Sequence, residues 1–148
     1  MRITQDSNTN AHTIHSYDTG KITIVMPSNG LLPHGARLLG ETDATANKPQ
    51  AFEWFKSVLI TPSNIHSDWK PQHHSELTID DFTYIFARKP EVLLLGTGKN
   101  LVFPPANIMA LFAEKKIGLE VMGTAAACRT YNFLINDNRD VAAALFMI

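Results

Sequence analysis

Chemistry in this chain concentrates between residues 90 and 132. Gly96-Thr97-Gly98 follows the apolar run Val92, Leu93, Leu94, Leu95, and Gly123-Thr124 follows Leu119-Glu120-Val121-Met122. A small-residue turn after an apolar strand and before a helix is where phosphate groups are held. The spacing does not complete either nucleotide motif. Leu101 stands where the dinucleotide fingerprint needs its third glycine. Asn100 follows Lys99 where a Walker loop needs Ser or Thr, and Leu93 stands where its first glycine belongs. Two readings remain. In one, the glycines allow a turn or close packing. In the other, Gly96, Thr97, Gly98 and Thr124 line a crevice for an anionic or polar group at the carboxyl ends of parallel strands.

Three further side chains need weighing. Cys128 falls in the first turns of the helix after Thr124, where a thiol can be activated. Helical spacing instead sets it with Ala127, Tyr131, Leu134 and Ile135 on an apolar face, so it reads as a small buried hydrophobe. Arg129 shares a different stripe with Asn132 and Asn136, and would meet an anion in the crevice. Glu120 alternates with Leu119 and Val121, so it points to the other face of its strand. It either forms an ion pair with Arg129, bridging strand and helix, or reaches solvent. The six histidines do not fall at metal-ligand spacing, and His73 and His74, being adjacent, diverge on regular structure. No metal site, cofactor or nucleophile–base set is read from the chain.

The elements that position these groups follow from pattern. Residues 12–17 and 21–26 are β-favouring runs joined by Asp18-Thr19-Gly20, a hairpin. Residues 27–51 form a long loop, functional or mobile, with at most a short strand near 36–39. Residues 52–61 regain strand character, and 64–75 are a polar connection. Thr78 caps a helix with Leu77 and Phe82 as a hydrophobic staple, Asp80 and Asp81 in the first turn, and Pro90 as the stop. Residues 92–95 are apolar throughout, as in a strand covered on both faces. Pro104 and Pro105 open a helix with Ile108, Leu111 and Phe112 as its buried stripe. A strand at 119–122, a helix capped by Thr124 and a strand at 141–147 complete a βαβαβ unit of α/β class.

Bulk properties limit the partners. At 148 residues, one domain at 12–148 with a flexible N-terminus at 1–11 is expected. A net charge of −1 without basic runs disfavours nucleic acid. A single cysteine fits a reducing compartment. No apolar run is long enough to span a bilayer, and residues 1–10 lack a signal-peptide core, so a cytoplasmic location is expected, or the mitochondrial matrix in a eukaryotic host.

The run L-L-L-G-T-G, the following Phe-Pro, and G-L-E-V-M-G-T-A-A-A-C-R-T-Y-N-F-L…R-D-V-A-A-A-L resemble the Mth938-like (DUF498) family. Its members include the mitochondrial complex I (NADH dehydrogenase) assembly factor 3 and small bacterial and archaeal proteins of unassigned activity. The resemblance is concentrated at residues 90–145 and departs from the family at Gly123, where an Asp is usual. It implies a three-layer α/β fold with a central mixed sheet and no established catalytic residue. It also implies an accessory protein with an unidentified protein partner, linked to respiratory complex assembly. The alternative is a small-molecule binder or enzyme using the crevice. A homo-oligomer formed by pairing an exposed strand edge across a dyad stays open.

Overall fold

The computed structural model describes residues 10–40 and 50–148. The hairpin forms as expected: β1 (Thr13–Asp18) pairs antiparallel with β2 (Lys21–Met26), with Gly20 at positive φ in the turn. β3 (Arg37–Leu38) and β4 (Gln50–Trp54) extend it to a four-stranded antiparallel sheet of order β1-β2-β4-β3. Part of the expected long loop, residues 41–49, and most of the expected flexible N-terminus lie outside the described residues. Ala11, at the end of that N-terminal segment, is buried in the core.

The single strand expected over 52–61 is two strands in two sheets. After β4 the chain steps through Phe55, Lys56 and Ser57, then β5 (Val58–Ile60) pairs antiparallel with β9 (Val141–Leu145) of a second sheet. The step is pinned locally. Trp54 Nε1–H donates to the Ser57 carbonyl (3.3 Å), the Ser57 N–H donates to Gln72 Oε1 (3.2 Å), and the Ser57 hydroxyl donates to the Pro71 carbonyl. β6 (Ile65–His66) and a 3-10 turn at His74–Glu76 arise within the connection expected to be irregular.

The second sheet is mixed, of order β6-β5-β9-β7-β8. β7 (Val92–Gly96) is parallel to both β8 (Gly118–Met122) and β9 (Val141–Leu145). Before β7, a 3-10 turn (Ile79–Phe82) runs into α1 (Thr83–Arg88). The Asp81 carboxylate accepts from the Thr78 N–H (2.8 Å), and Leu77 and Phe82 share one core cluster, as the staple requires. Ile79 is exposed. α2 (Ala106–Glu114) connects β7 to β8, and α3 (Thr124–Asn136) connects β8 to β9.

Alternation along the mixed sheet divides the core. Val92, Leu94, Val141, Ala143 and Leu145 face one way, into a cluster with the four-stranded sheet and with Ala127, Cys128, Tyr131 and Ile135 of α3. Leu93, Leu95, Ala142 and Ala144 face the other way, towards Ile85 of α1, Ile108 and Phe112 of α2, and Trp69. Both faces are covered, which is why β7 and β9 read as unbroken apolar runs. α3 therefore lies between two sheets, with β7 and β9 beneath it and β1 above. The layers are thus a four-stranded sheet, a buried helix against the central mixed sheet, and an outer layer of α1 and α2.

Burial lowers the pKa of two histidines. His12 is buried, its Nδ1–H donating to the Pro62 carbonyl (3.0 Å), and burial holds its pKa below 6.5 against the opposing effect of that bond. Burial lowers His66 likewise, with Asp68 opposing. Between the folded and unfolded pKa values the unfolded chain binds more protons, so stability rises with pH there. The expected outcome is a melting temperature that is level above pH 6.5 and falls as the pH drops below it. His12→Asn should flatten part of that fall, and an unchanged slope in the variant would remove His12 from this account.

Candidate functional site

The carboxyl ends of β7 and β8 are the natural crevice of this sheet. The chain leaves β7 for a helix on one face and β8 for a helix on the other, the arrangement that opens a binding crevice in α/β sheets. Here the chain's own backbone fills it. The Thr97 N–H donates to the Met122 carbonyl (2.9 Å), and the Thr124 N–H donates to the Gly98 carbonyl (2.8 Å). Gly123, not Thr124, takes the cap position of α3. The Thr124 hydroxyl is fully buried, accepting from the Gly98 N–H (2.8 Å) and donating to the Phe146 carbonyl (2.6 Å). One small side chain thus ties together the loop after β7, the start of α3 and the end of β9.

Gly96 is a matter of space. A Cβ there would stand 3.0 Å from Thr124 Cα, Thr124 Oγ1 and a Leu145 methyl. Gly98 is a matter of backbone, at φ +96°. Beyond this closed junction lies a cleft of about 210 Å3 lined by Thr97, Gly98, Lys99, Asn100, His73 and His74 among others. Of the residues expected to line a crevice, Thr97 and Gly98 reach this cleft. Gly96, Thr124 and Arg129 do not line it. The Thr97 hydroxyl is already engaged, donating to the Asn100 carbonyl (2.6 Å) and accepting from the Val102 N–H (3.0 Å). On the opposite wall the Ser75 N–H donates to His73 Nδ1 (3.3 Å), which leaves Nε2 as the donor of the neutral ring.

Arg129 points elsewhere. Its Nη1 donates to the Tyr17 hydroxyl at the end of β1 (2.6 Å). The ion pair with Glu120 is not formed. The sheet register sets Glu120 beside Leu94 and so on the α3 face, as the alternation requires. β8 is the sheet edge, however, and Glu120 stays in solvent, where a carboxylate needs no partner. α3 meanwhile runs back over β7 towards β9 and carries Arg129 to the hairpin.

Two residues given no site role in the sequence hold the hairpin to α3. The Ile14 N–H donates to Asn132 Oδ1 (2.9 Å) and Asn132 Nδ2 donates to the Ile14 carbonyl (2.5 Å), at the point where a register shift interrupts β1. From the adjacent helix position, the Tyr131 hydroxyl donates to the His12 carbonyl (2.8 Å). Burial pushes that phenol's pKa upward, and pushes the Cys128 thiol up to about 12 despite the opposing influence of Arg129. Cys128 is thus inert packing, as expected. The available signal for Asn132 was its place four residues after Cys128 and three before Ile135, at the margin of the apolar face. A buried amide there has to find a backbone partner.

An α/β domain whose long helix is clasped between a hairpin sheet and a mixed sheet, over a closed switch point, is the class that fold and site define. The chain belongs to the family described as protein of unknown function DUF498/DUF598, whose model matches residues 33–146. A Mth938-like domain protein from Bordetella pertussis has the same fold, with a TM-score of 0.67 at 20% identity, covering 99% of this chain and 92% of that one. A protein from Bordetella parapertussis gives a TM-score of 0.70 at 23% identity, covering 96% and 100%. Among characterised sequences, a 13 kDa major membrane protein of Francisella tularensis is 38% identical over 61 residues, covering 41% of this chain and 50% of that protein. NADH dehydrogenase [ubiquinone] 1 alpha subcomplex assembly factor 3 of Xenopus tropicalis is 32% identical over 79 residues, covering 52% and 43%. The chain thus spans about half the length of these two relatives or less. Among the described residues no helix is long and apolar enough to cross a membrane.

Asn132→Ala leaves a buried N–H and a buried carbonyl of Ile14 without partners and should cost about 2–4 kcal/mol in urea unfolding. Arg129→Ala, at a half-buried contact, should cost under about 1.5 kcal/mol. Equal losses for the two variants would contradict the assignment of Asn132 as the hairpin's anchor.

Proposed function

We propose that this chain is a non-enzymatic accessory protein that acts by binding a protein partner during assembly of a larger complex. A respiratory complex is the foremost candidate. The observation that carries the reading is how the family-like stretch spends its polar groups. Thr124, Tyr131 and Asn132 all bond to the chain's own backbone, and Cys128 is sealed in the core. Such a stretch maintains a shape, and a shape is what a partner recognises. The name of the Xenopus relative, an assembly factor, supports the same reading. A cytoplasmic location, or the mitochondrial matrix in a eukaryotic host, belongs to this proposal. Affinity capture of the tagged chain from its own host, read by quantitative mass spectrometry, should return the same few proteins in replicate, with respiratory-complex subunits or their assembly proteins among them. Captures indistinguishable from a tag-only control would contradict it.

A second reading rests on the cleft beside the closed junction. Lys99 and the Nε2–H of His73 offer donors to a small anion, with Gly96, Gly98 and Thr124 bracing the loop behind them. Phosphate, pyrophosphate, citrate and nucleotides can be screened by thermal shift. An anion at ten times its Kd adds about 1.4 kcal/mol, enough to raise the melting temperature by a few degrees. That rise should be lost in Lys99→Gln. No rise with any of these probes, or a rise that Lys99→Gln leaves intact, would remove the cleft from consideration.

A further inference from the structure

A second cleft, of about 320 Å3, lies where the start of β1 meets the turns that follow β2 and β5. Ligand cavities begin at about this size. Both walls are held by their own backbone. On one side the Gly30 N–H donates to the Pro27 carbonyl (2.8 Å), and a Cβ on Gly30 would stand 3.0 Å from that same oxygen. On the other the Thr61 N–H donates to the Asn64 carbonyl (2.8 Å), and the Asn64 N–H donates to Thr61 Oγ1 (3.0 Å).

His12 lines this cleft and is 4% exposed. Most of its polar atoms are taken. Its backbone N–H (2.8 Å) and its Nδ1–H (3.0 Å) both donate to the Pro62 carbonyl, and its own carbonyl accepts from Tyr131. What it turns to the cleft is therefore the far edge of the ring. Nε2 on that edge has no partner among the described residues. With the proton on Nδ1, Nε2 carries a lone pair and accepts. Burial favours this neutral ring over the imidazolium, which has no acceptor. Asn64 Nδ2 donates to Ser63 Oγ (3.2 Å) and to the Tyr84 hydroxyl (3.4 Å), which leaves Asn64 Oδ1 as a second acceptor. Ser63 Oγ accepts from Asn64 and from Arg88 Nη1 (3.5 Å), which leaves its O–H to donate. Among the described residues no Lys, Arg, Asp or Glu lines the cleft.

We propose that this cleft binds a small uncharged molecule through its hydroxyl groups, a polyol or a sugar. The ligand has to donate to His12 Nε2 and Asn64 Oδ1 and accept from Ser63. A hydroxyl does both, so neighbouring hydroxyls on one small carbon frame meet all three groups. An anion brings acceptors and finds no cation in the lining. An ammonium finds no carboxylate. Pro27 and Ile65 offer apolar surface to the carbon frame. The site shares no residue with the cleft at His73 and Lys99, and it stands or falls separately from the assembly role.

The test is nuclear magnetic resonance titration of the full chain, labelled with nitrogen-15, using glycerol, myo-inositol, ribose and glucose. Lactate and ethanolamine are the charged controls. At least one of the four should shift His12 Nε2 and the amides of Ser63, Asn64 and Ile65 saturably, with a millimolar Kd. His12→Phe removes the ring acceptor and keeps the backbone bond to Pro62. Asn64→Leu removes the second acceptor at an exposed position. Each variant should weaken binding roughly five-fold or more. If His12→Phe does not fold, Asn64→Leu decides alone. No saturable shift with any of the four overturns the proposal. So does an affinity that Asn64→Leu leaves unchanged, or a control that binds as tightly as the sugars and polyols.

Discussion

α3 is a helix with a sheet on each side, and that placement sets the terms for everything around it. A helix so enclosed must be apolar on two flanks, and any polar group it carries there must find a partner within the protein. Tyr131 and Asn132 do so by bonding to the backbone of His12 and Ile14. These bonds stand where strand pairing would otherwise be expected for β1. They hold the four-stranded sheet at a fixed height over the helix, which in turn closes the cluster of Phe52, Trp54, Ile22 and Ile24 against Leu94 and Ala143. Each fully buried large side chain of that cluster contributes about 1.5–3 kcal/mol. All of it depends on the hairpin staying down.

The other end of α3 explains why this switch point is not an open binding crevice. In many α/β sheets the loops at such a point stand apart and a ligand takes the gap. Here Thr124 takes it, bonded to Gly98 on one side and Phe146 on the other. Gly96 and Gly98 serve this closure, one by leaving room for Thr124 and the other by turning the backbone at positive φ. What remains open to solvent lies one loop further out, between residues 72–74 and 97–100.

The C-terminal unit was legible in the sequence because both faces of its sheet are covered. Short continuous apolar runs, as at 92–95 and 141–145, are the mark of strands buried on both sides, and the helices between them carried proline and apolar-stripe signals. The 52–61 region misled for a physical reason. β4, which buries Phe52 and Trp54, and the fully buried β5 are separated by three residues, and an apolar pattern does not say which sheet a strand joins. β6 was hidden because two half-buried residues make no periodicity. The Glu120–Arg129 pair was a fair reading of alternation and helix stripe. It failed on the position of β8 at the sheet edge, which is a property of topology. Spacing set Asn132 on a stripe with Arg129 and Asn136, whereas its neighbours Cys128 and Ile135 on the helix place it against β1.

The central claim is that α3 and the hairpin form one cooperative unit through Asn132 and Tyr131. Amide hydrogen exchange of Ile14 tests this most directly, because its N–H has a side chain as its partner. If the clasp holds the fold together, the Ile14 amide should exchange only with global unfolding, at the same opening free energy as amides in β7. An Ile14 amide that exchanges at a far lower opening free energy, as a fraying hairpin would, contradicts the account.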